Sequence, residues 1–145
     1  MGSEMTHQEI QEFFATQQKH WRARDPQNLA KGHAEHGTIV SPIFRTVTGA
    51  AAILASYRIL FEIFPDWDYH GQRLLIDRSS VAEPFIVTAT HVGEFMGLQG
   101  TGRRFELQGV RLYDMQDGLI LFERRYYDFT GLLIQLGVLR SKPAC

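Results

Sequence analysis

The fold is decided by residues 105–129, which read FELQGVRLYDMQDGLILFERRYYDF. Apolar and polar side chains alternate with a period of two on both sides of Asp117-Gly118, and this dipeptide is the strongest short signal for a tight hairpin turn. The stretch therefore predicts two long antiparallel strands, from about Phe105 to Met115 and from Leu119 to Phe129.

Further strands are expected upstream of this hairpin. The period-two pattern predicts strands at about Asp68 to Asp77 and at about Val81 to Phe95. The stretch from Thr38 to Val47 has β-branched residues but also contains Pro42. Because proline cannot donate to a sheet ladder, an edge strand or an irregular strand is predicted there.

Three helices are expected in the N-terminal half, where the apolar period is 3.6 residues. The first runs from about Thr6 to Arg24 and opens with a capping box formed by Thr6 and Glu9. The second runs from Pro26 to about Ala34, and the third from Gly49 to the residue before Pro65. Helices followed by long antiparallel strands predict an α+β fold, with the helices packed in the concavity of a strongly curved sheet.

The composition fits one globular domain. At 145 residues and 16.6 kDa, we expect a single domain over residues 1–145, with a core from about residue 6 to 138 and tails at 1–5 and 140–145. Fifteen basic against sixteen acidic residues give a net charge of −1, so neither a nucleic acid nor a membrane surface is an expected partner. The single cysteine, Cys145, excludes an intrachain disulfide, and a reducing, cytoplasmic location is expected.

The densest group of ionisable residues lies near the end of the last predicted strand. Strict alternation assigns one face of that strand to Ile120, Phe122, Arg124, Tyr126 and Asp128, and the other to Leu119, Leu121, Glu123, Arg125, Tyr127 and Phe129. Apolar side chains mixed with a few charged ones are typical of a ligand cavity. A solvated face with cross-strand ion pairs is the alternative interpretation.

Asp128 is a candidate general base. Aromatic neighbours on both sides are expected to desolvate its carboxyl group, which raises a carboxyl pKa, while Arg124 on the same strand face would lower this pKa, so the sequence leaves the net direction open. His91, expected in the middle of a strand, is either a hydrogen-bonded structural residue or the acid–base partner of Asp128.

No metal or organic cofactor is expected. His33 and His36 have the i, i+3 spacing of metal ligands if the helix continues through them, but no third ligand lies nearby in the sequence. Nucleotide-binding glycine motifs and the G-x-S-x-G motif are absent. Aromatic residues at helical spacing form either a pocket wall or plain core, and these are Phe13, Phe14, Trp21, Tyr57, Phe61 and Phe64.

Four motifs resemble those of the SnoaL-like polyketide cyclases, a family within the nuclear transport factor 2 / ketosteroid isomerase superfamily. They are FPDW at 64–67, THVGEFMGLQGTGRRFE at 90–106, LYDMQDGLI at 112–120 and YYDFTGLLIQLG at 126–137. The resemblance extends from about Ile10 to Val138. It implies a homodimer with sheets packed face to face, and a pocket for a hydrophobic polycyclic substrate.

The resemblance also implies catalytic residues. The position of Asp128 corresponds to the acid–base aspartate that serves an intramolecular aldol closure without metal or cofactor, and His91 occupies a second common position. The second histidine of the family, on the strand before the hairpin, has no clear counterpart, since Gln108, Arg111 and Asp114 occupy that region. Isomerisation, epoxide opening, dehydration and lactone rearrangement therefore stay open beside cyclisation.

The sequence thus predicts a cofactor-independent cyclase or isomerase that acts by acid–base catalysis on a polyketide- or terpenoid-like carbonyl intermediate. A non-catalytic module of the same fold, which binds a small molecule or a partner, is the alternative. The expected substrate contacts are Trp21, His33, His36, Tyr57, Phe61, Phe64, Gln108, Arg124 and Tyr126.

Overall fold

The computed structural model describes residues 4–140. Most of the expected C-terminal tail, with Cys145, and the first three residues lie outside the described residues. In chain order the elements are α1 (His7–Ala23), α2 (Pro26–Lys31), β1 (His33–Ser41), β2 (Arg45–Thr48), α3 (Ala50–Ile63), β3 (Asp68–Gly71), β4 (Leu75–Asp77), β5 (Ser80–Thr90), β6 (Arg104–Gln116), β7 (Leu119–Tyr127) and α4 (Phe129–Gln135).

The predicted α+β class is confirmed. Over the described residues the strands form one curved, unclosed sheet in the order β2-β1-β7-β6-β5-β3, and β4 pairs with β5. Every pairing is antiparallel except that of β1 with β7. The hairpin of β6 and β7 turns at Asp117-Gly118, where both residues have positive φ, as expected for this dipeptide.

The helices pack against the concave face of this sheet. The predicted capping box is present at the start of α1, with the Thr6 side chain accepting from Glu9 N at 3.1 Å. Ile10 and Phe14 of α1 pack near the hairpin end of β6 and β7, and Tyr57 and Leu60 of α3 pack in the larger core. The helix packing therefore fixes which sheet residues become enclosed.

The strand expected at Thr38 to Val47 differs in the structure. It is split into β1 and β2 by a turn that contains Pro42, and β1 lies between β2 and β7 rather than at an edge. Helix α2 ends at Lys31, so the helix does not continue through His33 and His36, which both lie on β1. The helical metal-ligand spacing considered for these two residues is therefore wrong.

Three other boundaries also differ. The strand expected at Asp68 to Asp77 is interrupted between β3 and β4, and β5 ends at Thr90, so His91 lies beyond the strand rather than in its middle. The apolar segment after Asp128 forms a helix, α4, whose Leu132 and Leu136 are fully buried in the core.

A β-bulge in β7 changes which side chains face the core. Met115 pairs with Ile120, but Asp114 pairs with Phe122, so Leu121 is an extra residue in β7. Ile120 therefore shares the buried face with Glu123 and Arg125, which follow the bulge. The assignment of Ile120 to the face of Phe122 and Arg124 is wrong because strict alternation cannot anticipate an inserted residue.

No helix among residues 4–140 is both long and apolar enough to cross a bilayer.

Candidate functional site

Charged side chains line up across the concave face of the sheet. Glu83 on β5 pairs with Arg111 on β6, and Arg111 pairs with Arg125 on β7. In the adjacent row Tyr113 pairs with Glu123. Side chains opposite each other in a sheet lie on the same face within contact distance, so the register alone brings these groups together inside the fold.

Glu123 holds two guanidinium groups. Its Oε2 accepts from Arg111 Nη1 at 3.2 Å and from Arg125 Nε, and all three side chains are at most 6% exposed. Burial alone would raise the pKa of Glu123, but Arg125 and Arg111 outweigh burial and lower this pKa to about 2. Glu123 is therefore an ionised carboxylate at any pH near neutrality.

Arg111 is enclosed by aromatic rings. Its guanidinium carbon lies 4.5 Å from the ring centroid of Trp21, 4.4 Å from that of Tyr69 and 5.2 Å from that of Phe85. Such stacking stabilises a desolvated cation. Arg111 Nε is buried and has no hydrogen-bond partner among the described residues, so one donor of this cation is free for an acceptor in the interior.

A second hydrogen-bonded pair lies beside Glu123. Tyr57 Oη is 2.8 Å from His33 Nε2 and 3.4 Å from Arg125 Nη2. Because a guanidinium N–H can only donate, Tyr57 accepts from Arg125 and donates its own hydrogen to His33. A neutral His33 then carries its proton on Nδ1, which is buried and has no partner among residues 4–140.

The protonation states of this pair follow from burial. Burial lowers the pKa of His33 to about 4, although Glu123 opposes the shift, and it raises the pKa of Tyr57. At neutral pH both groups are therefore uncharged hydrogen-bonding groups, and the net charge of the cluster is decided by Arg111, Arg125 and the carboxylates.

Among residues 4–140, two small interior cavities border Arg111. The cavity toward α1 is lined by residues that include Gln17, Trp21, Tyr57 and Glu83, and the other by residues that include Phe44, Trp67 and Arg125. Each has a volume of about 10 Å³, roughly the room that one water molecule needs.

A larger cavity of about 590 Å³ lies on the outer side of the sheet. We define this outer groove by its lining residues, which are Leu75, Ile76, Asp77, Ser80, Val81, Ala82, Leu112, Tyr113, Asp114, Phe122 and Arg124. Its volume is in the range of ligand pockets, roughly 300–1,000 Å³. The concave side of the sheet was expected to form an open pocket, but side chains fill it. The larger cavity is the outer groove, on the other side of the sheet.

Four of the predicted substrate contacts, Trp21, His33, Tyr57 and Phe61, lie in the interior cluster. Trp21 is stacked on Tyr69 with ring centroids 4.8 Å apart, and Tyr57 is bonded to His33 as described above. Phe61 is partly buried and touches Trp21 edge-on at 6.1 Å between centroids.

The other predicted contacts lie elsewhere. His36, Gln108, Arg124 and Tyr126 are exposed, and the last three are on the outer side of the sheet. Phe64 is fully buried at the far end of the core, with its ring centroid 5.2 Å from that of Phe105. The fold therefore does not bring these five residues together with the interior cluster.

Asp128 is exposed and caps helix α4. Its Oδ1 accepts from Gly131 N at 2.8 Å, and a Cβ at Gly131 would overlap the Asp128 carboxylate. The expectation that aromatic neighbours desolvate Asp128 is wrong, because the strand ends at Tyr127 and the side chain turns back along α4 to cap it. The catalytic role of Asp128 is supported by the resemblance alone, whereas the contact that the structure gives its carboxylate is a helix cap.

His91 is fully buried beneath the loop that follows β5. Thr101 N donates to its Nδ1 at 3.3 Å, and its ring packs 6.1 Å from those of Phe64 and Phe95, between centroids. These contacts are those of a residue that holds the 91–103 loop in place, and none of them reaches Asp128 or the interior cluster.

Sequence reasoning missed the central members of the cluster. Glu83, Arg111, Glu123 and Arg125 are not among the site residues that the sequence predicted. The signal that could have found them is position: Glu83 lies between Val81 and Phe85, both on the buried face of β5. A charge placed on a buried face is seldom tolerated without a partner.

A metal site finds no support in the geometry. Within the described range, no group of three or more His, Cys, Asp or Glu side chains is arranged to hold a metal ion.

The helices packed in a curved sheet define a small α+β protein with the ketosteroid isomerase-like fold. The same fold occurs in a protein from Catenulispora acidiphila at 17% identity, with a TM-score of 0.74 over 87% of this chain and 92% of that chain. The sequence profile of the SnoaL-like polyketide cyclase family matches residues 9–136. The chain belongs to this family. No curated protein sequence matches it.

Several solved structures are similar over nearly the whole chain. AclR from Streptomyces galilaeus, provisionally named a hydroxylase, is 25% identical, with a TM-score of 0.80 over 95% of this chain and 91% of that chain. IdmH from Streptomyces antibioticus, provisionally named a polyketide cyclase, is 24% identical, with a TM-score of 0.73 over 90% and 99%. TsrD from Streptomyces laurentii is 21% identical, with a TM-score of 0.81 over 94% and 100%.

Proposed function

We propose that this protein is a cofactor-independent cyclase or isomerase that acts by acid–base catalysis on a hydrophobic, polyketide- or terpenoid-like carbonyl intermediate of secondary metabolism. Membership in the SnoaL-like family supports the class of reaction. The observation that carries the chemistry is Arg111, a buried guanidinium with an unpartnered Nε that borders both interior cavities.

The charge balance of the interior suits an enolate. Removing a proton next to a carbonyl group leaves negative charge on the carbonyl oxygen, and fixed donors in a site without water stabilise that charge. Arg111 and Arg125 supply two fixed positive charges, and both are bonded to the carboxylate of Glu123. These positive charges are already in place, so stabilising the enolate costs no reorganisation.

Aromatic walls would hold the carbon skeleton of the substrate. The cavity on the side of the β1–β2 turn is lined mainly by apolar side chains, among them Ile43, Phe44 and Trp67. Its volume of about 10 Å³ is too small for a ring system. In this proposal, substrate binding moves the partly buried turn that carries Ile43 and Phe44 away from the sheet and joins the cavity to solvent.

The experiment follows proton exchange and does not need the natural substrate. A naphthyl β-keto methyl ester is incubated with the protein in deuterated buffer, and loss of its α-proton NMR signal is compared with that in buffer alone. We expect exchange above the background, because abstraction of this proton is the first step of both cyclisation and isomerisation.

Two variants identify the site of exchange. Arg111→Lys keeps the positive charge but loses the planar guanidinium group with its Nε–H donor. We expect the exchange rate to fall by roughly 10²-fold or more. Arg104→Lys, a change in an exposed arginine on the same strand, leaves the rate unchanged. Equal rates for the two variants, or no exchange with the wild-type protein, contradict the proposal.

The outer groove favours a second, compatible function, the binding of a partner copy. We propose that this face forms a homodimer interface, because Leu75, Leu112, Leu121 and Tyr126 expose 37–52% of their surface there or beside it. A two-fold axis would also let Arg124 face the acidic Asp77 or Asp114 of the other copy. Tyr127, which strict alternation assigns to the same face as Leu121, packs against the interior core because of the bulge in β7.

A further inference from the structure

Glu83 is a buried carboxylate that the proposed function has not yet used. It lies on β5, only 7% exposed, and borders the cavity toward α1. Arg111 borders both this cavity and the one beside the β1–β2 turn, so the carbonyl end of a substrate whose skeleton lies beside the turn would reach Glu83 past Arg111. Its Oε1 accepts hydrogen bonds from Tyr69 Oη at 2.5 Å and from Tyr113 Oη at 3.4 Å. Both donors are neutral hydroxyl groups, which orient the carboxyl group without neutralising it.

The two interior carboxylates have different partners. Glu123 receives both guanidinium groups, whereas Arg111 makes its ion pair with Glu123 rather than with Glu83. Burial therefore raises the pKa of Glu83, although Tyr69 and Arg111 oppose the shift, while the pKa of Glu123 is lowered. Two neighbouring carboxyl groups whose pKa values are shifted in opposite directions are typical of a site where one group exchanges protons and the other stays charged.

The second oxygen of Glu83 is not used by these hydroxyl groups. Oε2 faces Gly71 on β3, where an added Cβ would lie 2.5 Å from it. Glycine at this position leaves room for the Glu83 carboxylate, which an added Cβ would crowd. Within the described residues, the hydrogen bonds of Glu83 are both made by Oε1, so Oε2 is the oxygen available to a proton from a ligand.

We propose that Glu83 is the catalytic base that takes the α proton of the substrate. The C–H bond breaks and its proton moves to Oε2 of Glu83. The electron pair of that bond forms the C=C bond of an enolate, and the π pair of the carbonyl group moves onto the carbonyl oxygen. Arg111, opposite Glu83 in the sheet register, donates from Nε to that oxygen. This step rests on the proposed function, and it names the residue that performs its first proton transfer.

The test uses the same deuterium exchange, now with Glu83→Gln. Glutamine keeps the shape of the side chain and an acceptor for the tyrosine hydroxyl groups, but it cannot take a proton. We expect the exchange rate to fall by about 10²-fold or more. Glu94→Gln, a change in an exposed loop residue, serves as the control and retains the wild-type rate.

A second variant gives a readout that a structural role would not move. The titratable groups facing Glu83 are Tyr69 on β3, Arg111 and Tyr113 on β6 and Glu123 on β7. The Tyr69 hydroxyl lowers the pKa of Glu83, so Tyr69→Phe moves the acidic limb of the pH–rate profile to higher pH. An unmoved limb, in a variant that folds and exchanges, overturns the assignment.

The outcomes separate this inference from the proposed function. Exchange by the wild-type protein that persists in folded Glu83→Gln overturns the role of Glu83 alone, and another interior group is then the base. No exchange by the wild-type protein overturns the proposed function and this inference together. Exchange lost in Glu83→Gln, with the shifted limb in Tyr69→Phe, supports both.

Discussion

A guanidinium enclosed by three aromatic rings cannot reach water without exposing those rings, and Arg111 is held in that way against Trp21, Tyr69 and Phe85. Placing such a charge in the core is costly unless its partners are fixed. Glu123 is the fixed partner, and Arg125 shares it. Each of these three charged residues is therefore needed for the other two to be buried in the core, which explains why they occur together.

His33 gives a prediction at the scale of one residue that does not involve turnover. Its pKa in the folded protein, about 4, is below its ordinary value of 6.5. The unfolded chain therefore binds the proton first as pH falls. The stabilising contribution is complete above pH 6.5 and is lost toward pH 4, by about 3 kcal/mol.

The variant His33→Gln isolates this effect. The free energy of unfolding, measured by urea denaturation between pH 7.5 and 4, should fall less steeply in His33→Gln than in the wild-type protein. His36→Gln, a change in an exposed residue on the same strand, should follow the wild-type curve. If His33→Gln also follows it, His33 is not held neutral by burial.

At the scale of the element, the C-terminal motif docks helix α4. Gln135 Nε2 donates to Glu106 O and Gln135 Oε1 accepts from Glu106 N, both at 3.0 Å. The side chain of Gln135 thus continues the hydrogen bonding of the β6 backbone, while Asp128 caps the other end of the helix. Asp128 and Gln135, which both lie in the motif at 126–137, therefore have a structural role here.

Loss of this contact should loosen the helix. Gln135→Leu removes two hydrogen bonds, and we expect it to cost about 1–2 kcal/mol of stability. Amide exchange at Glu106 should become faster, as measured by NMR in deuterated buffer. Gln116→Leu, a change in an exposed glutamine at the other end of β6, should not change that exchange rate, and unchanged protection in Gln135→Leu would refute the docking role.

Periodicity predicted the elements well but not the site, and the bulge in β7 explains the difference. A two-residue turn at Asp117-Gly118 with regular pairing would place Arg111 opposite Arg124. The extra residue, Leu121, moves the register by one, so Arg111 faces Arg125. One inserted residue thereby exchanges the inner and outer faces of the strand, and alternation alone cannot locate it.

The capping box, the hairpin turn and the order of helices and strands were predictable because each depends on a few neighbouring residues. The position of Asp128 was not predictable from neighbouring residues, because β7 ends at Tyr127, directly before Asp128, and helix α4 follows. The closed interior was not predictable either, because the volume left inside a curved sheet depends on how side chains such as Arg111 and Trp21 fill it.

At the scale of the whole molecule, the outer groove leads to a prediction about assembly. Leu112 is 40% exposed within the groove, and Leu112→Glu would place a charge in the middle of the proposed interface. By sedimentation at micromolar concentration, we expect a two-chain mass for the wild-type protein and a mass of 16.6 kDa for this variant. Met96→Glu, which changes an exposed apolar residue on the 91–103 loop, should stay dimeric.

A wild-type protein that sediments as a single chain under these conditions would contradict the interface. The two functions are separable, because the interior cluster lies on the opposite side of the sheet from the groove. Leu112→Glu should therefore retain the deuterium exchange rate of the wild-type protein as long as it folds.

The central claim is that chemistry occurs inside the curved sheet and not at the exposed aspartate before α4. The most direct test measures deuterium exchange into the naphthyl β-keto ester with Asp128→Asn and Arg111→Lys side by side. Asparagine still accepts the capping hydrogen bond, so the account predicts a rate within about twofold of wild type for Asp128→Asn, and a loss of roughly 10²-fold for Arg111→Lys. A hundredfold loss in folded Asp128→Asn, with Arg111→Lys near the wild-type rate, would contradict it and return the catalytic role to Asp128.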